Sequence, residues 1–81
     1  MERIARNPDQ IGTAIRAERR RRGHTQAALA AATRLRQATI SAVEAGEAGT
    51  RLDTLLDLMA ALDLELVIRP RTRGPDIEAT L

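Results

Sequence analysis

Apolar positions recur at helical spacing in four short segments, each bounded by residues that typically begin or end a helix. The first segment carries a modest apolar stripe made of Ile11, Ala14 and Ile15. Asn7 precedes it as an N-cap, Pro8 takes the first helical position, and Gly23 follows as a C-terminal cap. The pattern therefore predicts a first helix from Pro8 to about Arg22.

The middle of the chain predicts two short helices joined by a tight turn. Thr25 is a suitable N-cap for a helix over about residues 26–32, and the next helix covers about residues 37–45. The apolar inside of this pair consists of Leu29, Ala30, Leu35, Ile40 and Val43. Two helices set nearly at right angles, with polar residues at the start of the second, have the geometry that enters a DNA major groove.

The last third of the chain changes from a helical period to an alternating one. Thr50 is the predicted N-cap of a fourth helix, with Asp53 as its reciprocal cap three residues later. The apolar stripe expected to enter the core consists of Leu52, Leu55, Leu56, Met59, Ala60 and Leu62. After Asp63 the residues alternate as in a strand, and Pro70 ends that segment.

A single strand in a helical chain has no partner within that chain. A two-fold related copy offers an antiparallel partner directly, so we expect this strand to pair across a homodimer. The side chains involved are Leu64, Leu66, Val67 and Ile68. The alternatives are that the segment extends the fourth helix or packs loosely as a strand on its own domain. The expected organisation is a flexible arm (1–6), a DNA-binding domain (7–62), a dimerisation strand (63–71) and a disordered tail (72–81).

Composition narrows the class of protein. The 81 residues suffice for one small domain and include no Phe, Tyr, Trp or Cys. The absence of aromatic residues rules out base stacking on aromatic side chains, which disfavours a single-strand or RRM-type RNA binder. Without cysteine the chain has neither disulfides nor thiolate metal sites. His24 is the one histidine, and no glycine motif cradles phosphate, so we expect no enzymatic activity, metal or other cofactor. With no apolar run of membrane-spanning length, we expect a cytoplasmic, nucleoid-associated protein without a membrane partner.

Charge is divided unevenly along the chain. Residues 1–43 contain nine arginines and three acids, whereas residues 44–81 contain four arginines and eight acids. The basic half predicts a surface that faces nucleic-acid phosphates. The acidic half predicts a surface turned away from DNA, toward a protein partner.

The start of the third helix carries residue types that read base pairs, because glutamine pairs with adenine, arginine with guanine, and an alanine methyl contacts the thymine methyl. The expected base-contacting residues are Arg36, Gln37, Ala38, Ser41 and Ala42. The expected phosphate-contacting residues are Thr25, Gln26, Thr39, Arg20 and Arg22. Glu44 brings a negative charge to this region, and Arg19 is its expected ion-pair partner.

These residues coincide with a family pattern. Arg19, Thr25-Gln26, Leu29-Ala30, Gln37, Thr39-Ile40-Ser41, Glu44 and Gly46 resemble the helix-turn-helix repressors of the phage-repressor and Cro type, over about residues 7–62. The resemblance implies an all-α, four-helix domain that binds double-stranded DNA at a palindromic operator through the major groove. Arg34 departs from the pattern, since the family usually has glycine in this turn. The resemblance therefore implies a positive φ at this position, which a non-glycine residue adopts at a cost of about 1 kcal/mol.

A narrower resemblance is to HipB-type antitoxins, carried by residues 7–10 (NPDQ), residues 37–41 (QATIS) and the strand that follows the last helix. It implies a homodimer that represses its own operon and has a HipA-type serine/threonine kinase toxin as its partner. Two alternatives stay open. One is a stand-alone phage-type or metabolic regulator without a toxin partner, and the other is a protein that mainly binds and inhibits a toxin.

Overall fold

A computed structural model describes residues 2–71, and the regular secondary structure of this part of the chain is α-helix. It contains four α-helices: α1 (Pro8–Arg21), α2 (Gln26–Thr33), α3 (Gln37–Glu44) and α4 (Leu52–Ala61). The predicted four-helix architecture is confirmed, and the first three helices end within one residue of the expected positions. The predicted tail over residues 72–81 lies outside the described residues.

Side-chain caps set the beginnings of α1 and α2. The backbone N–H of Gln10 donates to Asn7 Oδ1 at 2.8 Å, and the backbone N–H of Ala28 donates to Thr25 Oγ1 at 3.0 Å. Each bond satisfies one of the first N–H groups of its helix, which have no partner inside the helix. Gly23 follows α1 with φ of 75°, a conformation that glycine adopts without steric cost.

The predicted cap of α4 is wrong. Arg51 takes the N-cap position in an extended conformation and makes no side-chain capping bond. The Thr50 hydroxyl instead donates to the Glu47 carbonyl oxygen at 3.2 Å, and Asp53 pairs with Arg51 through Nε and Oδ1 at 3.0 Å. The threonine hydroxyl therefore hydrogen-bonds to the loop before α4 and does not cap the helix. α4 begins one residue later than the sequence predicts.

The core is entirely aliphatic and lies where the four helices meet. Its buried side chains are Ile15, Leu29, Ile40, Val43, Leu58 and Leu62. A second set packs partly buried against them: Ile11, Ala30, Leu35, Leu55, Met59 and Leu64. Each fully buried leucine or isoleucine contributes about 1.5–3 kcal/mol relative to exposure.

The expected apolar stripe of α4 is partly wrong. Leu58, which was not assigned to it, is fully buried, whereas Leu52 and Leu56 are 63% and 42% exposed and Ala60 is exposed. The helix is rotated so that Leu58 points at the core, since α4 packs against α2. A helix with apolar residues over most of its circumference has no single phase that the sequence can identify.

α1 and α3 approach closely at Gly12. A Cβ atom at Gly12 would lie 2.4 Å from the Val43 carbonyl oxygen and 2.7 Å from the Glu44 carbonyl oxygen. Backbone contact at this distance leaves room for glycine alone. This contact holds the middle of α1 against the end of α3, and it was not indicated by the apolar pattern.

Residues 64–71 follow the helical domain without helix or strand structure. The alternative that they extend α4 is wrong, because Asp63 leaves the helical conformation with φ of 55°. The backbone N–H of Leu64 then donates a hydrogen bond to the Met59 carbonyl oxygen at 2.7 Å, which closes the end of α4. Leu64 packs against the core, while Leu66, Val67 and Ile68 are 57%, 65% and 93% exposed. Their pairing across a homodimer stays a prediction, as does the division of the chain into arm, domain, strand and tail.

We expect Gly12→Ala to lower the free energy of unfolding by about 1–3 kcal/mol, because the added methyl must push α1 away from α3. Urea unfolding followed by circular dichroism measures this change. Gly49→Ala is the matched control: a Cβ atom at Gly49 meets no heavy atom within 4 Å, so its effect should stay within about 0.5 kcal/mol. Equal losses from the two variants would contradict the role assigned to the close contact.

Candidate nucleic-acid interface

One face of α3 is open to solvent and carries uncharged polar and small side chains. Ile40 and Val43 turn toward the core. Of the expected base-contacting residues, Arg36, Gln37, Ala38 and Ser41 are exposed and Ala42 is half-buried. The first turn of α3 contains no acid. This face can therefore approach the base edges of a major groove without placing a carboxylate against phosphate.

The structure brings together Arg19 of α1 and Glu44 of α3 in a two-bond ion pair. Arg19 Nε lies 2.7 Å from Glu44 Oε2, and Arg19 Nη2 donates to Glu44 Oε1 at 2.9 Å. The two side chains are 9% and 3% exposed. Arg19 Nη1 also donates to the His24 carbonyl oxygen at 2.8 Å. The guanidinium thus joins α1, the loop before α2, and α3 in one fixed arrangement.

Gln26 of α2 completes this cluster. Its Nε2 donates to Glu44 Oε1 at 3.1 Å, so the carboxylate accepts hydrogen bonds from two side chains. Gln26 was expected to contact phosphate, and the structure holds its amide in place from the inside. The second N–H of the amide makes no other hydrogen bond within residues 2–71 and is available to a phosphate oxygen. The sequence did not indicate the hydrogen bond to Glu44.

The negative charge of Glu44 is compensated inside the fold. Burial by itself raises the pKa of Glu44, but the hydrogen bonds from Arg19 and Gln26 and the positive charges of Arg19 and Arg16 outweigh burial. The pKa of Glu44 consequently lies below its ordinary value, and the ionised carboxylate keeps its partners. An approaching phosphate therefore meets a paired carboxylate rather than a free one.

Arg16 is a cation of this site that was not among the predicted residues. It is exposed on α1, and its charge helps to lower the pKa of Glu44. The signal that could have found it is its position three residues before Arg19, which places both on neighbouring positions of one helix face.

The arginine run at the end of α1 divides into paired and unpaired residues. Arg21 and Arg22 both donate to the Glu18 carboxylate, and they lower the pKa of Glu18 to about 2. Arg22 Nη2 also lies 4.0 Å from Asp63 Oδ2. Arg22, which was expected to contact phosphate, is therefore paired with acids of its own chain. The exposed Arg20 side chain forms no ion pair within residues 2–71, and its charge remains available to phosphate.

Two threonines expected to contact phosphate lie at the starts of α2 and α3. Thr25 Oγ1 accepts the capping bond and retains its hydroxyl proton for donation. Thr39 is half-buried in the first turn of α3. Both stand beside backbone N–H groups at helix N-termini, which favour anions.

Residues 2–71 contain neither a membrane-spanning helix nor a cluster of metal-binding side chains. No helix there has the length and apolar character needed to cross a membrane. The same residues contain no group of three or more histidine, aspartate or glutamate side chains placed to hold a metal ion.

This chain is similar to a known family and to several solved structures. The Helix-turn-helix family model matches residues 15–68. The structure of a HipB variant in complex with an O2 20mer has a TM-score of 0.83 and 29% identity, covering 89% of this chain and 100% of that chain. A HipB-O1-O2 complex has a TM-score of 0.77 and 30% identity over 86% of this chain and 100% of that chain. A HipA-HipB-O2-O3 complex has a TM-score of 0.78 and 29% identity over 89% and 100%. No curated protein sequence matches this chain.

We expect Glu44→Gln to lower the free energy of unfolding at pH 7 by about 3 kcal/mol, because it leaves the buried Arg19 guanidinium without its charged partner. The folded pKa of Glu44 is depressed. Its ionisation therefore stabilises the fold above the unfolded pKa of about 4.3, and this stabilisation is lost as pH falls through the folded pKa. Chemical denaturation at a series of pH values should show wild type and variant converging in acid. A constant gap between them down to pH 2 would exclude this assignment.

Proposed function

The chain belongs to the helix-turn-helix family and is HipB-like, and on that premise we propose that it is a dimeric, sequence-specific repressor that binds operator DNA through α3. The observation that carries the proposal is the open face of α3. It presents Arg36, Gln37, Ala38 and Ser41 to solvent, while the nearby acid Glu44 is paired within the fold.

Base reading and phosphate binding are divided between different residues in this proposal. Gln37 offers its amide to an adenine edge, and Ala38 offers its methyl to a thymine. Arg20 and the fixed amide of Gln26 contact the phosphates that flank those bases. The phosphate contacts determine how steeply the affinity for DNA falls with salt concentration, whereas Gln37 and its neighbours determine which DNA sequence is preferred.

Dimerisation places two such reading helices on one face of the duplex. Two copies related by a two-fold axis would set their α3 helices about 34–36 Å apart, one turn of DNA, and would select a palindromic operator. We assign the dimer contact to residues 64–69. Leu66, Val67 and Ile68 support this because a single copy leaves their apolar side chains largely exposed.

We further propose that the chain is an antitoxin whose partner is a HipA-like serine/threonine kinase and that it autoregulates its operon. The support is its similarity to HipB, one structure of which also contains HipA. The acidic half of the chain, including the exposed Asp57 of α4, provides a surface for this partner that leaves α3 free for DNA. A kinase-like reading frame beside this one would favour the antitoxin over a stand-alone regulator.

We expect Gln37→Ala to weaken operator binding by about 1–3 kcal/mol and to leave binding to random DNA nearly unchanged, because only base contacts carry sequence information. Fluorescence anisotropy with both duplexes at one fixed salt concentration measures the two affinities. Arg20→Ala is the comparison variant: it should weaken both duplexes alike and reduce the salt slope by about 1. Equal losses of Gln37→Ala on both duplexes would contradict base reading by α3.

The dimer has its own test in the mass of the protein in solution. Size exclusion with light scattering should give twice the chain mass for the wild type. Leu66→Asp with Ile68→Asp should give a monomer, since each aspartate places a charge among the apolar residues of the proposed contact. Glu65→Asp leaves the charge and both apolar residues in place and should remain dimeric. A monomeric wild type would overturn the proposed contact.

A further inference from the structure

Arg34 holds a backbone conformation that glycine adopts more easily than arginine. It ends α2 with φ of 61° and ψ of 16°, in the left-handed region. In this region the Cβ atom of an L-residue crowds the neighbouring carbonyl oxygen, so arginine carries a steric cost that glycine avoids. The geometry of the turn gives no reason for an arginine.

Other residues hold this turn in place. The Thr33 hydroxyl donates to the Leu29 carbonyl oxygen at 2.8 Å, and Thr33 Oγ1 accepts from the backbone N–H of Leu35 at 3.4 Å. Leu35 then anchors the turn by packing against the core. The exposed Arg34 side chain forms no hydrogen bond or ion pair within residues 2–71. The guanidinium therefore contributes nothing visible to the fold.

Arg34 lies close in the chain to the residues proposed to read bases. It lies two residues before Arg36 and three before Gln37, at the end of α3 that reads bases in the proposed function. The first turns of α2 and α3 contain no acid, and Glu44 at the far end of α3 is paired with Arg19. The positive charges of Arg34 and Arg36 are thus uncompensated, and both residues lie in the turn that leads into the first turn of α3, where the reading face begins.

Arg21 provides the contrast. It is also an exposed arginine, but its guanidinium donates to Glu18, so its charge is already used within the chain. Uncompensated arginines attract phosphate more strongly than paired ones, because a neighbouring carboxylate offsets the positive charge of a paired guanidinium.

We propose that Arg34 is a further DNA contact, whose guanidinium binds a phosphate of the backbone beside the base pairs that α3 reads. The inference rests on the proposed function and adds a residue to it. The strained backbone is then the cost of placing a cation in the turn, and strain of this kind is retained at functional sites. Contact with phosphate makes the effect of Arg34 independent of DNA sequence.

Arg34→Gly separates this role from a structural one, because the two roles predict opposite changes in the thermal midpoint of unfolding. We expect the thermal midpoint to rise by a few degrees as the left-handed strain is relieved. We expect affinity to fall several-fold on operator and random DNA alike, and the slope of log K against log salt to become shallower by about 0.9 for each copy bound. Arg34→Lys, which keeps the charge, should keep most of the salt slope.

Arg21→Ala is the matched control, since it removes one exposed arginine that is already paired, and its salt slope should equal that of the wild type. A rise in thermal midpoint for Arg34→Gly without loss of affinity or salt slope would overturn the proposal, and so would a fall in thermal midpoint. An equal change in slope for Arg21→Ala would overturn it as well, because the effect would then reflect net charge.

If the wild type binds DNA but Gln37→Ala loses no operator preference, base reading fails while the Arg34 contact stands. If the wild type binds no DNA, both proposals fail.

Discussion

The hydrogen bonds to the Glu44 carboxylate join three of the four helices. Arg19 reaches it from α1 and Gln26 reaches it from α2, while Glu44 itself ends α3. An ionised carboxylate this deeply buried would be costly without partners, so the helices are constrained to the one arrangement in which all three groups meet. The same contacts remove a negative charge from the edge of the reading face. One cluster therefore sets both the relative orientation of the helices and the electrostatic character of the proposed DNA interface.

This cluster depends on how closely the helices pack. The core contains only aliphatic side chains, and short α2 is rich in alanine, so the helices must approach closely to exclude water. At Gly12 the approach leaves no space for a Cβ atom beside the carbonyl oxygens of α3. The close contact at Gly12 and the ion pair seven residues later on α1 act together, since each fixes the distance at which the other can form.

The arginines show how one residue type is divided between structure and function. Arg19 is buried and holds helices together, and Arg21 and Arg22 neutralise Glu18. Arg16, Arg20, Arg34 and Arg36 are exposed without an ion pair within residues 2–71. Net charge alone does not distinguish these groups, because a paired arginine adds little attraction for phosphate. The local balance of acids around each guanidinium decides which arginines can serve DNA binding.

The sequence alone determined the four helices and the caps at Asn7 and Thr25, because these features depend on residues a few positions apart. It also indicated the Arg19 and Glu44 partnership and the open face of α3, through a family pattern and the spacing of apolar residues. Tertiary structure decided the rest. The rotation that buries Leu58, the contact at Gly12 and the hydrogen bond from Gln26 to Glu44 depend on which helix packs where. Such contacts join residues far apart in the chain, and the local pattern of apolar residues does not predict them.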